Sequence, residues 1–141
     1  MKSVALALFF CLQATQALAQ QKTTVRLDFA LGEHNAGSEL LAVLPQSRAW
    51  SDSVSVFFND ELRQRGPQNL ARVNDPRPTY RLMLQPLPII GASKKPVGTA
   101  YSLIVFRGDN EEYTSSSLGY SRSAKEAASD ILNWTLALLK H

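Results

Sequence analysis

The spacing of apolar side chains along the chain changes period several times, and each change predicts an element. Val25, Leu27 and Phe29 alternate with Thr24, Arg26 and Asp28. That period of two predicts a half-buried strand over 23–31. Residues 32–38 are polar with two glycines and predict a loop. The short apolar run 39–44, closed by Pro45, reads as an extended segment. Trp50, Val54, Phe57, Phe58 and Leu62 then share one helical face, and Gly66-Pro67 stops the pattern. A helix over 51–65, capped by Ser51 or Asp52, follows.

Residues 67–78 form a polar connector. Tyr80, Leu82 and Leu84 alternate with Arg81, Met83 and Gln85, which predicts a strand over 79–85. Pro86 and Pro88 are expected to end its ladder, because proline has no N–H to donate. Residues 89–98 read as a loop with Lys94-Lys95 at its tip, its two isoleucines packed into the core. Residues 99–107 are nearly all apolar and predict a central strand covered on both faces. Gly108-Asp109-Asn110 is turn chemistry, and 112–121 returns as a strand, polar through Ser115, Ser116 and Ser117. Ser123-Ala124-Lys125-Glu126 has the form of a capping box. Behind it Ala124, Ala128, Ile131, Leu132, Thr135, Leu138 and Leu139 make a broad apolar arc, with Glu126, Ser129, Asp130 and Asn133 opposite. The order β-(β)-α-β-β-β-α predicts a two-layer α+β domain: a mostly antiparallel sheet of four to five strands with two helices on one face.

The first residues belong to an address, not to that domain. Lys2, the apolar run 4–12 and Ala17-Leu18-Ala19 have the three-part form of a secretory signal peptide over 1–19. Cys11 follows two phenylalanines, not the small residues of a lipoprotein site. The expected product is a single domain over 20–141, beginning near Gln20, periplasmic or secreted and free of cysteine. No later segment is long and apolar enough to cross a membrane, which takes about 20 residues. The whole chain of 141 residues is 45% hydrophobic and 19% charged, the composition of an ordinary globular domain. About 120 residues are enough for a hydrophobic core without disulfides. Asn133-Trp134-Thr135 matches a glycosylation acceptor, but its place in a predicted helix argues for coincidence.

A helix ending in Leu62-Arg63-Gln64-Arg65-Gly66, strands opening at Tyr80 and Tyr101 and an alanine-rich closing helix resemble small periplasmic envelope domains. The N-terminal domain of the Tol-Pal translocation protein TolB and the lipopolysaccharide-assembly lipoprotein LptE are of this type. The resemblance rests on element order and covers most of 20–141. It implies a binding or assembly role and carries over no site residue.

Catalytic signatures are missing from the chain: it contains no HExxH, GxSxG, GxxxxGK[ST] or GxGxxG. A thiolate site is excluded once the leader is removed, and no cofactor or metal is expected. His34 is the only internal histidine, so a small hydrolase, the alternative reading, would pair it with Asp28 or Glu33. The carboxylate pairs Asp60-Glu61 and Glu111-Glu112 sit in polar sequence, where solvated surface is expected. A net charge of +3 and a pI near 9.2 are too mild to require nucleic acid.

Charge placement is more telling than charge. Between Arg63 and Arg107 lie eight basic residues and one acid, Asp75, while the rest of the exported chain is net acidic. Such separation attracts anions, and arginine suits phosphate and carboxylate. The expected function is therefore a non-catalytic envelope-binding or assembly protein. Arg72, Arg77, Arg81, Lys94 and Lys95 are its candidate anion-binding residues. The expected partner is a lipid headgroup, lipopolysaccharide or anionic glycan, or else a protein that adds a strand to a free sheet edge. A secreted inhibitor or effector is a further alternative, which a protruding apolar loop over 87–98 would favour.

Overall fold

The computed structural model describes residues 22–31, 38–108 and 110–140, with 38–42 by backbone alone. The leader, Cys11, Glu33, His34 and Asp109 lie outside the described residues. β1 (Thr23–Phe29) leads to α1 (Ser38–Arg65), then β2 (Leu70–Arg72), β3 (Tyr80–Ile90), β4 (Pro96–Arg107), β5 (Glu112–Ser121) and α2 (Ala124–Leu138). One five-stranded sheet has the order β2-β1-β3-β4-β5. β1 pairs parallel with β2 and β3, while the two longest ladders, β3 with β4 and β4 with β5, are antiparallel. The two-layer α+β architecture expected from the sequence is present.

The core lies between one face of this sheet and the two helices. Val25, Leu27, Leu82, Leu84, Tyr101, Leu103 and Val105 point inward, as period-two strands require. Val54 and Phe58 of α1 and Ala127, Ala128, Ile131 and Leu132 of α2 close over them. Both helical faces are the ones the apolar spacing picks out. α2 starts where expected: Ser123 Oγ accepts the Glu126 amide N–H at 3.1 Å. The reach-back from Glu126 lands one residue earlier than the capping box predicts, its carboxylate accepting the Arg122 amide N–H at 2.8 Å. The helices are tied at one end by Arg65, which donates to Asn133 Oδ1 at 2.8 Å and Ser129 Oγ at 3.0 Å.

Four expectations need correction. Residues 39–44 are helical, not extended, and α1 runs from Ser38 straight through Pro45. A proline removes one helical hydrogen bond and crowds the preceding turn, yet the turns after it are anchored. Buried Ser51 bonds back to the Ser47 carbonyl at 2.8 Å, and Trp50 packs edge-on to Phe29 at 6.5 Å. The connector 67–78 holds β2, a parallel addition to β1. Strand β3 continues through both prolines to Ile90, which makes 89–98 the end of a hairpin. β1 stops pairing at Phe29 with Leu84, so Pro86 and Pro88 turn their missing N–H to an edge with no neighbouring strand among the described residues, where no ladder bond is lost. Finally, β4 is central in the sheet but covered on one face only: Ile104 and Phe106 stay partly exposed on the other.

Candidate functional site

The five candidate basic residues occupy four separate places. Arg72 sits at the end of β2 beside α1, where it donates to the Ser55 carbonyl at 2.9 Å and to Asn59 Oδ1 at 3.0 Å. Burial lowers its pKa, against the pull of Asp28; its task is to tie strand to helix. Arg81 stands on the uncovered face of the sheet and donates through Nε to Asp28 Oδ2 at 2.6 Å. Arg26 holds the other oxygen of Asp28 at 2.9 Å, and Arg81 also meets Glu111. The hydrogen bond to Asp28 is the main cause that raises the Arg81 pKa. Arg77 is exposed in the connector, where its amide N–H bonds to Asp75. Lys94 and Lys95 are exposed in the turn between β3 and β4, roughly 30 Å from Arg81 along a strand rising ~3.3 Å per residue. The five do not form one positive surface: Lys94 and Lys95 stand together at the hairpin turn, apart from the three arginines.

The carboxylate pairs were expected on solvated surface; Asp60 and Glu111 are there, but the Glu61 side chain is only 15% exposed. Asp60 pairs with Arg63, and Glu61 with Arg65 at 2.6 Å, each within the last turns of α1. Asp28, a candidate partner for His34, is already held by two guanidinium groups. Among the described residues no three His, Cys, Asp or Glu side chains come together to hold a metal ion, and no helix is long and apolar enough to cross a membrane.

The uncovered face of the sheet is graded from end to end. Near the β4–β5 turn it carries the ion pairs of Arg26, Asp28, Arg81 and Glu111. Toward the β3–β4 turn it becomes apolar: Leu87, Ala100 and Tyr120 lie in one cross-strand row, with Leu118 in the next and Ile89 opposite Gly98 beyond. Leu118 is 86% exposed. Tyr120 lies over Gly98, where a Cβ would fall 2.4 Å from its hydroxyl oxygen, so only glycine admits the ring there. The Tyr120 hydroxyl donates to the Val97 carbonyl at 3.4 Å.

On the covered face a cleft of about 390 Å³ opens where β1 ends, between Val43 and Ser47 of α1 and Pro86, Tyr101 and Gly119 of the sheet. Its volume is within the range of small-molecule pockets. Tyr101 is only 6% exposed, its ring covers Gly119, and Trp50 packs against it at 5.5 Å. Burial, then the charges of Asp130 and Glu126, push the phenol up to about 12. Trp50 Nε1, Ser115 Oγ and Ser121 Oγ are buried there or nearby in the core without a hydrogen-bond partner among the described residues. The sequence signal for this space was a single glycine in β5, Gly119, which admits the Tyr101 ring at the cleft's edge.

No protein family and no curated protein sequence matches the chain. Solved structures do match in fold. Protein XCC0632 from Xanthomonas campestris, of family DUF330, superposes with a TM-score of 0.52 at 12% identity, over 83% of this chain and 85% of that one. A PelC dodecamer from Paraburkholderia phytofirmans gives 0.45 at 10% identity, over 79% of this chain and 83% of that one. At such identities the likeness is one of fold alone.

Proposed function

We propose that the chain is an exported, non-catalytic binding protein of the cell envelope that recognises an anionic envelope component with its β3–β4 hairpin. One observation carries this reading. From residue 76 to 108 the chain has no Asp or Glu, and Lys94 and Lys95 stand exposed at the end of the hairpin this stretch forms. Arg81, the other candidate on the hairpin's strands, is taken by Asp28 and Glu111, whereas Lys94 and Lys95 stand side by side at the turn, where the hairpin has no carboxylate to offset them. A local excess of one sign attracts anions over a Debye length of ~8 Å at physiological ionic strength.

The test is retention of the 20–141 chain on an immobilised soluble polyanion, dextran sulfate, at low and high salt. Retention is expected to fall with salt and to fall several-fold in Lys94→Glu/Lys95→Glu. The charge-matched control Lys22→Glu/Lys140→Glu, made at exposed sites off the hairpin, should leave it near the wild-type level. Retention that ignores salt, or that both variants weaken equally, overturns the reading.

A further inference from the structure

We infer that the tip of the β3–β4 hairpin inserts into the interfacial layer of an anionic phospholipid bilayer. The inference rests on the anionic-partner reading above and narrows that partner to a lipid surface. Its first support is projection. β1 makes its last pair at Phe29 with Leu84, and β5 makes its last pair at Ser121 with Thr99. Among the described residues, 89–98 therefore reach beyond both neighbouring strands, with no strand of the sheet on either side.

The second support is what the projecting segment exposes. Ile89 and Ile90 are each 39% exposed and Val97 is 52% exposed, against the expectation that the isoleucines would pack into the core. On the uncovered face Leu87 and Tyr120 continue the apolar strip from Ile89. Large β-branched side chains at a hairpin end are an aggregation liability that a soluble surface has no reason to keep. Beside cations, they make the combination by which peripheral proteins hold a membrane: apolar side chains enter the headgroup–acyl boundary while positive charges stay with the lipid phosphates. An aromatic ring with a polar end, as Tyr120 presents, suits that same boundary.

The third support is the turn itself. The Gly91 amide N–H bonds to the Lys95 carbonyl and the Lys94 amide N–H to the Gly91 carbonyl, both at 2.9 Å. Lys94 closes this turn at φ +59°, in the left-handed region that hairpins of this length usually give to glycine. A cation stands where backbone geometry favours a residue without a side chain. Charge also argues against a second copy as the occupant. Two tips packed face to face would bring four lysines together with no carboxylate on either hairpin to offset them.

Co-sedimentation with vesicles of phosphatidylcholine alone, or mixed with phosphatidylglycerol, tests the inference on three variants of the 20–141 chain. Wild type should prefer the anionic vesicles by about tenfold or more, since each lysine near such a surface contributes about a factor of five. Lys94→Glu/Lys95→Glu should lose that preference. Ile89→Ser/Ile90→Ser/Val97→Ser should lose vesicle binding several-fold yet keep its retention on dextran sulfate, because only the bilayer offers an apolar phase. In Ile90→Trp, emission should shift to the blue with anionic vesicles and stay unchanged with dextran sulfate, which reports insertion without depending on the serine variant. Vesicle binding unaltered by the serines, or a tryptophan at 90 that never shifts, overturns the inference while polyanion retention leaves the binding function standing. Loss of both overturns both. A dimer that the serines dissolve, with no binding to vesicles, would assign the patch to a second copy and also overturn it.

Discussion

Tyr101 is the residue on which most of the interior converges. It lies in β4, covers Gly119, packs against Trp50 and borders the cleft. With burial as the main cause, its phenol is pushed from an ordinary value near 10 up to about 12. The sign of the consequence follows from which state ionises first. Below pH ~10 both folded and unfolded chains keep the proton, and the stability tied to this group is fully present. Between about 10 and about 12 the unfolded chain loses the proton while the folded one retains it. Stability is therefore drawn down as pH rises, by at most about 1.4 kcal/mol per unit from this group. Urea melts of wild type and Tyr101→Phe between about pH 9 and about pH 11.5 should show a steeper decline in the wild type. An absorbance titration should show an ionisation well above the ordinary tyrosine range that Tyr101→Phe removes. Equal slopes, with no such late ionisation, would mean that the ring is reached by solvent.

At the scale of elements, α2 is the clearest test of what the sequence makes legible. Ile131 is 1% exposed in the middle of the apolar arc, while Asn133 is on the outer side and only accepts a surface bond from Arg65. Ile131→Ala should cost ~2–5 kcal/mol in denaturant melts, and Asn133→Ala less than about 1 kcal/mol. Similar small costs would show that the helix is not seated on the sheet. The phase of both helices was readable because one face is buried along their length. The start of α1 was not. Pro45 breaks the local pattern, and the helix is held through it by contacts to Phe29 and Tyr101, distant in sequence. β3 misled for a related reason. Prolines end a strand that has neighbours on both sides, and no local pattern tells that β1 stops short and leaves that edge open. The candidate site divides in the same way. Lys94 and Lys95 were legible as a charged tip, but the roles of Arg72 and Arg81 depend on Ser55, Asn59, Asp28 and Glu111, which only the fold brings near.

At the scale of the molecule, one sheet face has two helices and the other has none among the described residues, so a single core holds them together. The strands supply Val25, Leu82, Leu84 and Val105 to that core, and each helix packs on the sheet and on its partner through Phe58 and Leu132. Neither helix has a second apolar surface on which to persist alone. Isolated helices of such length draw most of their stability from tertiary packing. The domain should accordingly unfold in one step, as small single-core domains generally do. Two tryptophans report on the two helices: Trp50 in α1, buried against Tyr101, and Trp134 in α2, at the edge of the core. Single-tryptophan variants, Trp50→Phe and Trp134→Phe, allow each helix to be followed by fluorescence while circular dichroism follows the sheet. Within each variant the fluorescence and dichroism midpoints should coincide, even if the two variants differ in stability. A Trp134 signal that melts before the dichroism would show that α2 leaves first and that the sheet with α1 stands without it.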